Sequence, residues 1–62
     1  MRIVKLTDAN DAATSVYIIV ENILYFHKRT NDSYSRVVFG KEHIIEVSET
    51  PEEILKIINA SR

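Results

Sequence analysis

Ser15-Val16-Tyr17-Ile18-Ile19-Val20-Glu21-Asn22-Ile23-Leu24-Tyr25-Phe26 is the stretch whose reading decides the fold. The span from Val16 to Phe26 has the length of a helix. Its β-branched and aromatic residues, however, lose χ1 freedom against a helical turn and pack well on a pleated surface. It therefore reads as two strands, Ser15–Val20 and Ile23–Lys28, separated by a tight break at Glu21-Asn22. Upstream, Arg2–Thr7 alternates as a strand. Asp8–Thr14 follows as a turn whose Asp and Asn side chains bond the local backbone. Downstream, the polar run Arg29–Ser33 is a hairpin loop, Tyr34–Phe39 the returning strand and Glu42–Ser48 the last strand. Between those two, Gly40-Lys41 reads as a second tight turn, with the chain's single glycine placed for a positive φ.

The period changes at Thr50-Pro51-Glu52-Glu53. Thr50 is an N-cap, Pro51 fits the first helical position, and Glu53 completes a capping box. Ile54, Leu55, Ile57 and Ile58 then form an apolar stripe, and the chain frays from Asn59. The expected fold is mainly β (α+β): a single domain over 1–62, built as a four- to five-stranded antiparallel meander with one short C-terminal helix. Several strands are apolar on both faces, with Ile23, Tyr25 and His27 against Leu24 and Phe26, and Ile45 and Val47 against Ile44. One ten-residue helix covers one such face. The other must meet a second sheet, either by curling into a barrel or by pairing with another subunit. Core and interface positions on this reading are Val16, Ile18, Val20, Leu24, Phe26, Val37, Ile45, Val47, Ile54 and Ile58.

Composition narrows the class. Sixty-two residues bury only about 60% of their unfolded surface, and a core worth more than roughly 3–5 kcal/mol is hard to build at that size. Cysteine is absent, which removes disulfides and Cys-based metal or redox centres. A hydrophobic share of 45% with one Gly and one Pro excludes a disordered linker, so self-association is the expected source of stability. The longest apolar runs fall far below the ~20 residues of a membrane span, and Met1-Arg2-Ile3-Val4-Lys5 does not read as a signal peptide. A cytoplasmic setting follows. A net charge of −1 supplies no attraction to nucleic acid or an anionic membrane.

Lys5-Leu6-Thr7, the aliphatic strand with Glu21-Asn22-Ile23-Leu24-Tyr25-Phe26 after it, Gly40-Lys41, and Val47-Ser48-Glu49-Thr50-Pro51-Glu52-Glu53-Ile54 occur in the order seen in the flagellar FlbD-like family. The chain resembles that family and the short bacterial and phage proteins related to it. The likeness spans nearly the whole length and rests on turn and cap chemistry. It implies an architecture and a role without catalysis. The family's Asn-Gly or Asp-Gly in the first turn is replaced here by Asn10-Asp11-Ala12-Ala13.

Candidate chemistry is sparse. His27 and His43 lie on different strands with no carboxylate at ligand spacing, so no metal site is expected. One glycine precludes the Gly-x-Ser-x-Gly elbow and phosphate-cradling glycine loops, and the capping role already explains Glu52-Glu53. No cofactor and no enzymatic activity are expected. The middle hairpin holds more content: Tyr25, His27, Lys28, Arg29, Tyr34 and Arg36 interleave aromatic faces with cations, as a surface for a nucleotide-like anion or a single strand of nucleic acid would. The plainer account makes Tyr25 and Phe39 core or interface, with the basic residues keeping an edge soluble. Residues 42–53 carry five Glu and no Lys or Arg, which sets an acidic segment against the basic hairpin. The leading expectation is a homo-oligomeric regulatory or adaptor module acting through protein contacts. The runner-up is a phage-encoded protein that sequesters a nucleotide-like ligand to inhibit a host defence pathway. A single-stranded nucleic-acid binder is the weaker third.

Overall fold

In a computed structural model, which describes residues 1–61, the chain forms β1 (Ile3–Thr7), β2 (Ser15–Ile19), a 3-10 turn (Val20–Asn22), β3 (Tyr25–His27), β4 (Ser35–Gly40), β5 (His43–Val47) and α1 (Pro51–Ala60). All pairing is antiparallel, in a β1-β2 hairpin and a β3-β4-β5 meander. The mainly β class with a terminal helix is as expected, but the strands do not run as one meander and no barrel closes among the described residues. Consecutive strands β2 and β3 do not pair. The reason lies at Val20: its N–H still bonds Arg2 C=O at 2.9 Å, and its own carbonyl then accepts the Ile23 N–H at 3.1 Å. That turn carries the chain away from β1 before β3 begins, and it shortens β3 from the expected Ile23–Lys28 to three residues.

The two sheets meet where β1 and β5 end. Asp8 bridges Val47, Ala9 N–H donates to Glu46 C=O (3.1 Å), and Ser48 N–H donates to Thr7 C=O (2.9 Å). The two sheets thus remain separate and touch at one corner, where the end of β1 runs into the end of β5. Glu49 fastens the seam. Both its carboxylate oxygens accept the Thr7 N–H, at 2.9 and 3.0 Å, while its backbone carbonyl accepts the Ser35 hydroxyl at 2.6 Å. Ser35 is the one fully buried polar residue among those described. It is buried at no evident penalty because that bond satisfies it.

Inside this corner, Val4, Leu6, Ile18, Val20, Val37, Val47 and Ile54 form the core, with Val16, Ile23, Phe26, Ile45, Ile57 and Ile58 packed around it. The alternation in β1 works as a half-buried strand should: Val4 and Leu6 are buried, Ile3 and Lys5 exposed. Leu24, expected in the core or an interface, is exposed on the single chain because it lies in the irregular approach to β3. Leu55 is likewise exposed; about 100° of helical rotation from buried Ile54 takes it off the core face. The helix begins as read, with Glu53 N–H donating to Thr50 Oγ1 (3.1 Å) and Thr50 N–H to Glu53 Oε1 (2.9 Å). It continues to Ala60, past the fraying expected from Asn59. Gly40 corrects another expectation. It has no positive φ and ends β4, opposite His43, so the tight turn is Lys41-Glu42. No helix among the described residues is long and apolar enough to cross a membrane.

Candidate functional site

Strand alternation divides the second sheet into two faces. Phe26, Val37 and Ile45 are in register and face the core. On the outer face, the register rows are Tyr25–Val38–Ile44 and His27–Arg36–Glu46. Val38 is only 5% exposed although it points away from the core, because Tyr25 and Ile44 flank it on the neighbouring strands. Those two flanking side chains, with Leu24, are themselves 51–66% exposed. An apolar patch is thus centred on a covered valine.

Four of the six residues expected to bind a ligand gather beside this patch. Tyr25 and His27 stack with ring centroids 5.7 Å apart and planes 28° from parallel. Arg36 lies opposite His27 in the ladder; its guanidinium sits 4.9 Å from the Tyr34 ring centre, and Nη2 donates to the Tyr34 hydroxyl at 2.8 Å. The Nδ1 of His27 is buried without a hydrogen-bond partner among the described residues. Arg36 also pairs with Asp32 across the hairpin loop, and that bond raises the guanidinium pKa above its ordinary value. An incoming anion would have to displace Asp32 to use this cation. Lys28 and Arg29 lie in the exposed loop after β3, outside the stacked cluster.

The acidic segment is largely occupied within the chain. Glu46 accepts from Asn10 Nδ2 (3.4 Å), Glu49 holds the seam and Glu53 caps the helix. Three of its five carboxylates are therefore engaged within the chain, while Glu42 and Glu52 are exposed. Sequence reading missed the cavity of about 380 Å³ at the far end of the second sheet, lined by Asn22, Phe39, Glu42, His43, Ile44 and Ile45. The only hint of it was a half-apolar strand start next to a turn. His43 is exposed there, as its place beside the Lys41-Glu42 turn implies. Among the described residues no three or more His, Asp and Glu side chains converge in a way that could hold a metal ion. Compared with known proteins, the chain matches no family model, no curated protein and no solved structure.

Proposed function

We propose that the chain is a non-catalytic regulatory or adaptor module that self-associates and acts through protein contacts in the cytoplasm. The observation that carries the protein-contact part of this reading is the outer face of the second sheet, where Leu24, Tyr25 and Ile44 expose apolar surface around Val38. Large apolar side chains held together on a rigid strand surface are the usual material of a protein contact. The surface area agrees: 4502 Å² is exposed, against about 4,100 Å² for a compact monomer of this mass. The resemblance to FlbD-like proteins supports the non-catalytic part of this reading alone. Sedimentation velocity at micromolar concentration tests the self-association. A concentration-dependent assembly is the expected result, and a stable monomer overturns it.

The Tyr25–His27 stack, next to exposed Lys28 and Arg29, favours a second reading in which a nucleotide-like anion is sequestered. Thermal shifts with mono-, di- and cyclic nucleotides test it. A shift that disappears in Tyr25→Ala supports ligand binding on the stack, and no shift with any nucleotide removes it.

A further inference from the structure

We infer that the open edge of β2 is the self-association surface, and that it pairs antiparallel with the β2 edge of a second copy about a two-fold axis through Tyr17. The inference rests on the self-association proposed above and assigns it a place in the fold.

The direction of each main-chain group in β2 follows from the bonds around it. Asp8 N–H donates to Thr14 C=O at 3.1 Å, and Val20 N–H donates to Arg2 C=O at 2.9 Å. With the observed register of Ile3 opposite Ile19 and Leu6 opposite Val16, alternation makes Leu6–Val16 and Val4–Ile18 the bonded pairs between these ends. The seam confirms the phase from the other side of β1, because Thr7 turns its N–H to Glu49 and its C=O to Ser48 N–H, away from Ser15. Ser15 and Tyr17 must then aim both their N–H and C=O groups outward from β2, and Ile19 its N–H, while the Ile19 carbonyl closes the 3-10 turn that follows; no strand among the described residues pairs with that side.

That row of free donors and acceptors lacks the usual protection. Ser15–Ile19 contains no charged residue and no proline, and its register with β1 has no bulge. The β3 edge differs: that strand is three residues long and runs directly into Lys28 and Arg29. The far side of β1 also lacks a ladder partner at Ile3 and Lys5, but it carries the Lys5 charge and is closed at Thr7 by the seam. The β2 edge is therefore the one both long enough and bare enough to template another strand.

The strand is also complementary to itself. An isologous pairing centred on Tyr17 sets Ser15 against Ile19 of the second copy, Tyr17 against Tyr17, and Ile19 against Ser15. All three are outward-facing positions, giving up to about four main-chain bonds, two between the Tyr17 residues and two from Ile19 N–H to Ser15 C=O. The same register sets Val16 against Ile18 of the other copy on the core face. Val16 is only half-buried where Ile18 is fully so, and this pairing carries the core across the junction. On the outer face Tyr17, 69% exposed, gains the Tyr17 of its mate. The patch formed by Leu24, Tyr25 and Ile44 belongs to the other sheet and stays free for a different partner.

Amide hydrogen exchange of the full chain, at dilute and at associating concentrations, tests the inference. The amides of Tyr17 and Ile19 should exchange about tenfold more slowly in the associated state, while Val16 and Ile18 are protected in both. Tyr17→Pro removes an outward N–H that no ladder bond uses. It should weaken association by about 30-fold, the worth of two main-chain bonds, whereas Tyr17→Thr keeps the donor and should still associate. Should Tyr17→Pro fail to fold, the exchange pattern of the unaltered chain decides alone. Association without added protection at Tyr17 and Ile19 would overturn this assignment and leave self-association standing. A chain that stays monomeric would overturn both.

Discussion

Replacing Glu49 by alanine tests whether the seam holds the fold together. The carboxylate is the only partner of the Thr7 N–H among the described residues, with both oxygens within 3.0 Å, and the contact is partly buried. Removing it leaves a main-chain donor away from full solvation, which costs about 1–3 kcal/mol. A domain of this length has a total stability of about 3–9 kcal/mol, so the loss is a substantial fraction of the whole. At about 4–8 °C per kcal/mol, a loss of ~2 kcal/mol lowers Tm by ~8–16 °C. Urea unfolding followed by far-UV circular dichroism measures the change as a shift of midpoint at constant slope. Glu49→Gln keeps an acceptor oxygen and gives up only the charge assistance, so it should lose about half as much. Glu42→Ala, in the exposed Lys41-Glu42 turn, is the comparison and should stay within about 0.5 kcal/mol of the parent. If Glu49→Ala and Glu42→Ala unfold at the same urea concentration, the two sheets are not joined through this carboxylate.

Three further outcomes follow. Ile54, fully buried where α1 meets the sheets, should cost about 2–5 kcal/mol when cut to alanine, a large fraction of the total stability; a cooperative melt within a few degrees of the parent would show that the helix is not docked. Glu53 is held below the usual carboxylate range by the Thr50 N–H and then by the Thr50 hydroxyl, and Asp11, held chiefly by the Thr14 hydroxyl, and Glu21, held chiefly by the Arg2 N–H, are lowered likewise. The unfolded chain therefore takes up these protons at higher pH than the folded one, and stability should fall as pH drops from about 6 to about 3; Glu53→Gln should flatten that slope, and an unchanged slope would remove the cap as a contributor. Gly40→Ala should be neutral or stabilising by up to about 1 kcal/mol, because the backbone is not at positive φ and the added Cβ meets only His43 Nδ1 at 3.6 Å; a larger loss in urea unfolding would restore the turn reading.

What the sequence made legible was local. The capping box lies within four residues, and the Asp8–Thr14 turn closes through Asp11 and its near neighbours, so residue type and spacing alone specify both. The faces of β5 were readable because period-two alternation survives from Ile44 to Val47. Tyr25 and His27 were brought together by the same rule, and Arg36 reached Tyr34 by it on the next strand. The errors arise where distant chain decides. Glu49 looks like one more solvated charge until its partner, forty-two residues earlier, is known. The bend that separates β2 from β3 depends on Val20 bonding both Arg2 and Ile23, and no pattern within Ser15–Phe26 announces it. Gly40 misled because glycine in a turn suggests a special φ, whereas here an ordinary strand end sufficed.

The seam has a kinetic consequence. Each hairpin closes over a short loop, but joining β1 to β5 ties Thr7 to Glu49, and a loop of that length costs about 1.6 kcal/mol more to close than the seven-residue turn after β1. Contacts this distant in sequence are the costliest to close, so the seam should form after the hairpins. The unfolding coordinate then begins at the seam. Changes at Glu49, Ser35 or Thr7 should act mainly on how fast the domain opens, with little effect on how fast it first assembles. The lifetime of the native state is thus set by a few bonds at one corner, while the larger core governs its depth.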